Sequence, residues 1–207
     1  MASTFTRFRF SPKTTTDIRF GLGRFAHFKP SQRGYTAAML QSRSEVSVRK
    51  GTVGDAGALA ALFRETWETS YRGIIPHLHL ESIIRRRDKA WWKNAVQSGD
   101  GLLVLEVAGK LAGYATFGRS RLKSKYQGEI YEIYLRPTYQ GLGFGEHLFE
   151  GVRYALDQRK LNGMIIWALA DNTAAQDFYW RRGGRPIAKS TDRVGGARLQ
   201  KVAYAWA

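Results

Sequence analysis

Between Arg136-Pro137 and a later amphipathic run lies Tyr139-Gln-Gly-Leu-Gly-Phe-Gly145, with glycine at positions 141, 143 and 145. A residue without a side chain lets its backbone N–H approach an anion, and a following helix adds partial positive charge at its first turn. A tight turn would need only one or two glycines, so three at alternate positions favour an anion cradle. The spacing excludes the two common phosphate motifs. A P-loop needs Lys-Ser/Thr after its last glycine, where Glu146-His147 stands here. A dinucleotide fingerprint needs G-x-G-x-x-G, but the residues three beyond Gly143 and Gly145 are Glu146 and Leu148.

Other reactive chemistries are limited by composition. The 207 residues include no cysteine, which removes disulfides, thiolate metal sites and a cysteine nucleophile. Of four histidines, only His77 and His79 are close together, and their i, i+2 spacing suits neither a zinc-binding helix pair nor a zinc finger. No metal is expected. The net charge is +16, of which residues 1–44 carry +7, with eight Lys/Arg against Asp17 alone. Such a balance suits nucleic acid, but a coenzyme with several phosphates would account for it equally.

These residues sit within a regular succession of elements that begins at Glu45. Residues 1–44 show no sustained period and read as a disordered basic extension: a flexible tail, an over-early start before Met39, or an Arg- and Ser/Thr-rich targeting peptide. VSVR (46–49) is a strand. Thr52 to Asp55 has capping-box form ahead of a helix carrying Leu59, Phe63 and Trp67 at i, i+4 and i+8. A second helical segment spans about 78–97. Two strands, 102–109 and 111–118, form a hairpin, and Gly128–Arg136 is a further strand. The glycine segment feeds a helix with Phe144, Leu148, Val152 and Leu156 on one face. MIIWALA (164–170) reads as a strand buried on both faces. Asn172 caps a short helix with Ala175, Phe178 and Tyr179 inward, and two closing strands flank Gly195-Gly196. The order β α α β β β α β α β β predicts a single α/β domain with a mixed, mostly antiparallel sheet flanked by about four helices. No apolar run approaches the roughly 18 residues of a membrane span.

Gln140-Gly-Leu-Gly143-Phe-Gly145 resembles the Q/R-x-x-G-x-G/A signature of the GNAT superfamily of acetyl-CoA-dependent N-acyltransferases. The preceding Tyr134-Leu-Arg-Pro137 looks like the end of that family's fourth strand. Asn172-x-x-Ala175-x-x-Phe178-Tyr179-x-x-x-Gly183 resembles its second coenzyme motif. Thr66-Trp67-Glu-Thr-Ser-Tyr71-Arg-Gly73-Ile-Ile-Pro76 is similar to a stretch in many small-molecule members. Together these stretches cover about 45–206, so 45–207 is expected to be the N-acetyltransferase domain, with the sheet splayed between its fourth and fifth strands.

The resemblance implies acetyl-CoA as co-substrate and no metal. The amides of Gly141, Leu142, Gly143, Phe144, Gly145 and Glu146, with Gln140 as first motif residue, would hold its pyrophosphate. The backbone of Ile133, Tyr134 and Leu135 would pair with pantetheine and supply an oxyanion donor, and Asn172 would bond the pantetheine arm. Tyr179 would be the general acid for the leaving thiolate, its ordinary pKa near 10 keeping it protonated at neutral pH. Some members use a glutamate five residues before the motif's Asn, but that position here is Trp167. A fourth-strand carboxylate remains, Glu132 or Glu129; strict alternation puts them on opposite faces unless a bulge intervenes. Trp67 and Tyr71 would line the acceptor site. The expected activity is transfer of an acetyl group to the amine of a small molecule by direct attack in a ternary complex, in the cytoplasm, with a homodimer compatible with the sequence. A protein lysine or N-terminal acetyltransferase is the neighbouring alternative. A nucleic-acid-binding module would leave the two coenzyme motifs as coincidences.

Overall fold

Alternation in VSVRK and the apolar run of GLLVLEV set up the first strand pair of a seven-stranded sheet. In the computed structural model, residues 46–98 and 101–207 are described; the basic segment 1–44 lies outside them. The strands are β1 (Val46–Lys50), β2 (Gly101–Val107), β3 (Lys110–Arg119), β4 (Gly128–Leu135), β5 (Met164–Leu169), β6 (Arg185–Val194) and β7 (Ala197–Trp206). Their order across the sheet is β1-β2-β3-β4-β5-β7-β6. Among the described strands only β4 and β5 run parallel, joined by the crossover helix α4 (Phe144–Gln158). The expected mixed, mostly antiparallel sheet is therefore observed.

Helices cover both faces. On one, α4 and α5 (Thr173–Arg181) bury Leu148, Phe149, Val152 and Tyr179 against Leu105, Phe117 and Ile130. On the other, α1 (Ala56–Tyr71), α2 (His77–Arg86) and α3 (Lys89–Gln97) bury Leu59, Phe63, Trp67 and Trp92 against Val104 and Tyr114. Burying each such large apolar side chain stabilises the fold by roughly 1.5–3 kcal/mol. Among the described residues, no helix is long and apolar enough to cross a membrane.

Two expectations need correction. The segment 78–97 forms two helices rather than one, which makes five α-helices among the described residues. It breaks at Arg87-Asp88, where the Asp88 side chain accepts a 2.8 Å hydrogen bond from the Trp91 N–H and so caps a new helix. Strict alternation also fails in β4. Thr116 pairs with Glu132 and Phe117 with Ile130, leaving Tyr131 as an extra residue. This bulge puts Glu129 and Glu132 on the same face of the sheet, together with Tyr134, since their partners Gly118, Thr116 and Tyr114 alternate regularly.

Candidate active site

The parallel pairing of β4 with β5 is short. Gly128–Ile130 meets Met164–Ile166, and beyond those residues the two strands part. Each keeps its other neighbour: β4 stays on β3 as far as Leu135–Gly113, and β5 stays on β7 as far as Leu169–Lys201. Ile133, Tyr134 and Leu135 thus lie on an opened strand edge, where backbone groups facing β5 have no strand opposite them. The Leu135 carbonyl accepts a 3.0 Å bond from Gln140 Nε2, which ties the glycine loop back to this edge.

The three glycines turn out to serve different ends. Gly141 and Gly143 have φ of +76° and +84°, and a Cβ built on either would meet no atom within 4 Å. Backbone conformation, not crowding, requires glycine there. Gly143 is the N-cap of α4, so the Phe144 and Gly145 amides precede the first intrahelical bond, while the Glu146 N–H donates to the Gly143 carbonyl at 3.1 Å. Gly145 instead allows close packing: its Cβ would lie 3.0 Å from Phe178 Cε2 and 3.4 Å from Leu135 Cδ1. Phe144 packs against Tyr139, Leu142 is exposed, and Glu146 lies 3.4 Å from Arg182, whose guanidinium sits 3.7 Å above the Phe178 ring. The cradle, the splayed edge and α5 are therefore one packed unit.

Asn172 caps α5, its side-chain oxygen accepting from the Ala175 N–H at 3.1 Å, so its amide hydrogens remain to donate. Tyr179 is buried among Phe178, Tyr204 and Trp206, and no hydrogen bond engages its hydroxyl among the described residues. Burial, with a smaller contribution from Tyr71 nearby, pushes its phenol above the ordinary value of 10.0. The raised value favours the protonated phenol, which can donate its proton in a hydrogen bond.

Across the splay, the α1–α3 face contributes a polar cluster inside an aromatic one. The hydroxyls of Tyr71 and Tyr134 are 2.7 Å apart. Trp67 packs on Tyr71 with ring centroids 4.7 Å apart, and its buried indole N–H has no partner among the described residues. Glu132 accepts from Arg87 Nη1 at 2.9 Å and from the Tyr114 hydroxyl at 3.1 Å. Burial first, and then the neighbouring phenols and the Glu132 charge, raise the Tyr114 and Tyr134 phenols well above 10.0. Burial and Glu132 raise Tyr71 too, against the bond from Tyr134.

Glu129 is in a different position. Only 1% exposed, it accepts from the Arg121 N–H at 2.7 Å and from the Arg121 guanidinium at 2.5 and 3.1 Å. It stands where β4 and β5 are still paired, so Glu132, near the opening, is the carboxylate beside the tyrosine pair. Sequence reasoning missed Tyr114 and Arg87. The Asp88 cap was a usable signal for a chain reversal at Arg87, but nothing local pointed to its pairing with Glu132. Outside the tyrosines, a groove of about 710 Å³ runs along the α1–α2 corner, lined by Glu68, Arg72, Ile74, Ile75, Glu81 and Ile84 among others.

The acetyltransferase (GNAT) family matches residues 59–183. An uncharacterized N-acetyltransferase of Bacillus subtilis is 30% identical over 164 residues, which is 78% of this chain and 92% of that protein. A spermidine N(1)-acetyltransferase of Thermoplasma acidophilum is 24% identical over 67% of this chain and 87% of its own length. In fold, the chain is similar to an N-acetyltransferase from Thermoplasma acidophilum solved in complex with coenzyme A, with a TM-score of 0.62 over 78% of this chain and 99% of that one at 19% identity. The chain belongs to the acetyltransferase (GNAT) family and is an N-acetyltransferase.

Proposed function

We propose that residues 45–207 form the catalytic domain and transfer the acetyl group of acetyl-CoA to the amine of a small molecule, by direct attack within a ternary complex. The observation that carries this reading is the splay itself. An open strand edge continues into a bare-backbone helix start on one side and faces a hydroxyl and carboxylate cluster on the other.

Acetyl-CoA supplies an activated acetyl thioester. Its fit to this chain rests on the open glycine backbone at 141 and 143, the unpaired β4 edge and the free amide hydrogens of Asn172. The Gly141–Glu146 amides, with Gln140 fixing the loop, would hold the pyrophosphate through oriented N–H groups and the α4 dipole. Ile133, Tyr134 and Leu135 would pair with the pantetheine amides, and a backbone N–H there would donate to the acetyl oxygen. Tyr179 would give a proton or a hydrogen bond to the departing sulfur.

The acceptor presents the converse problem. An alkylamine near pKa 10 is protonated at neutral pH and cannot attack until a proton leaves. The Tyr71–Tyr134 hydroxyl pair can accept hydrogen bonds from an ammonium, and Glu132 behind it provides the negative charge that favours binding and draws the proton away. The groove on the α1–α2 corner is lined by Glu68 and Glu81 together with Arg72, His77 and the apolar Ile74, Ile75 and Ile84, a mixed lining with room for an aliphatic amine. The test is thiol release from acetyl-CoA across polyamines, amino acids, aminoglycosides and lysine peptides. Turnover with one of the first three classes is expected. Turnover with lysine peptides alone would overturn the small-molecule reading.

A further inference from the structure

Arg87 is an unusual residue to find between two surface helices. It occupies the break where α2 ends and α3 begins, and its guanidinium lies 4.9 Å from the Phe63 ring centroid, 4.4 Å from that of Trp91 and 6.0 Å from that of Trp92. Nη1 lies 2.9 Å from both Glu132 oxygens, and the pair is largely withdrawn from water, with side-chain exposures of 17% and 13%. A buried ion pair is a poor source of stability, because desolvation offsets most of its attraction. Its location is more informative than its strength. The groups facing Glu132 are Arg87 from the α2–α3 junction, Tyr114 from β3, Tyr71 from α1, Tyr134 from β4 itself and Arg121 from the β3–β4 connection. Of these, the two cations are Arg87, which binds Glu132 directly, and Arg121, which is committed to Glu129.

We propose that Arg87 is a positioning residue of the acetyl-transfer site, acting through Glu132: stacked among three aromatic rings, it holds that carboxylate in one orientation beside Tyr114 and the Tyr71–Tyr134 hydroxyl pair. This rests on the reading that Glu132 serves the acceptor amine. The guanidinium lies over the Trp91 ring while Nη1 meets Glu132, and the bulge at Tyr131 brings Glu132 to the face that Arg87 can reach. Lysine, a point charge on a flexible stem, would keep the attraction and lose the planar stacking.

The experiment compares steady-state kinetics, with acetyl-CoA and the amine giving the fastest thiol release, for wild type, Arg87→Met, Arg87→Lys, Glu132→Gln and the double variant Arg87→Met/Glu132→Gln, each with a melting curve. Arg87→Met is expected to lower kcat by about tenfold to 100-fold, the scale of a misplaced reacting group, with KM for acetyl-CoA unchanged. Arg87→Lys should recover part of the loss. On the Glu132→Gln background, Arg87→Met should cost no further activity, because the carboxylate it orients is already gone. An equal loss on both backgrounds, with Glu132→Gln itself impaired, would overturn the positioning role alone. Wild-type kcat in Glu132→Gln would instead remove the carboxylate from the reaction, a failure of the underlying functional reading. Where Arg87→Met does not fold, the same cycle is run with Arg87→Lys, and the double variant leaves no unpaired buried charge.

Discussion

Gly143 holds α4's N-cap at φ +84°, a left-handed conformation that costs an L-residue about 1–2 kcal/mol. No atom lies within 4 Å of a Cβ there, so Gly143→Ala tests backbone conformation without a clash. Two limits bracket the result. If the loop keeps its shape, free protein bears the strain, the melting temperature falls, and coenzyme A binds as before. If the loop relaxes, free protein is spared and binding must restore the strained shape, weakening affinity by about 5- to 30-fold. In both limits the coenzyme-saturated protein is destabilised relative to the unfolded chain by the same 1–2 kcal/mol or so, a fall of about 2–8 °C for a domain of this size. Calorimetric titration with coenzyme A and melting at saturating coenzyme measure the two parts. Saturated complexes of Gly143→Ala and wild type that melt together would refute the claim that the cradle needs this backbone conformation.

Other consequences are simpler. Gly57→Ala in α1, where a Cβ would meet nothing closer than Lys89 Cδ at 3.9 Å, should raise stability by up to about 1 kcal/mol, or roughly 2–4 °C. Tyr179→Phe should lower kcat by about 100-fold with coenzyme affinity and melting temperature nearly unchanged, because its hydroxyl makes no hydrogen bond among the described residues; equal turnover would remove it from the acid role. Burial raises the phenols of Tyr71, Tyr114, Tyr134 and Tyr179 above 10.0. Unfolded tyrosines ionise near that pH while these hold their protons, so stability is full below pH 10 and declines above it by up to about 1.4 kcal/mol per unit and group. Melting from pH 8 to 11 should show a break near 10, and a flat profile would contradict the buried cluster.

What the sequence revealed follows the range over which each feature is determined. The glycine loop is local: a left-handed residue at 141 or 143 almost demands glycine, so its conformation was written in the residue type. At Gly145 a further reason for glycine lies with Phe178, 33 positions away, which the residue type alone does not reveal. The buried run of β5 and the capped start of α5 were equally legible, from periodicity and Asn172. The parting of β4 from β5 was available only through family resemblance, since strand pairing leaves no mark within one strand. The Tyr131 bulge is a property of the β3–β4 pair, and it decides that Glu129 and Glu132 share a face. Arg85-Arg-Arg87 is a run of three identical residues, and only the tertiary structure distinguishes Arg87, stacked and paired, from its two neighbours.

The most direct test of the central claim is the initial-rate pattern when acetyl-CoA and the fastest acceptor amine are varied together. Direct attack at the splay requires both substrates on the enzyme at once, so double-reciprocal plots should intersect, and enzyme treated with radiolabelled acetyl-CoA alone should retain no acetyl group after denaturation. Parallel lines with a denaturation-stable acetyl-enzyme would contradict the account.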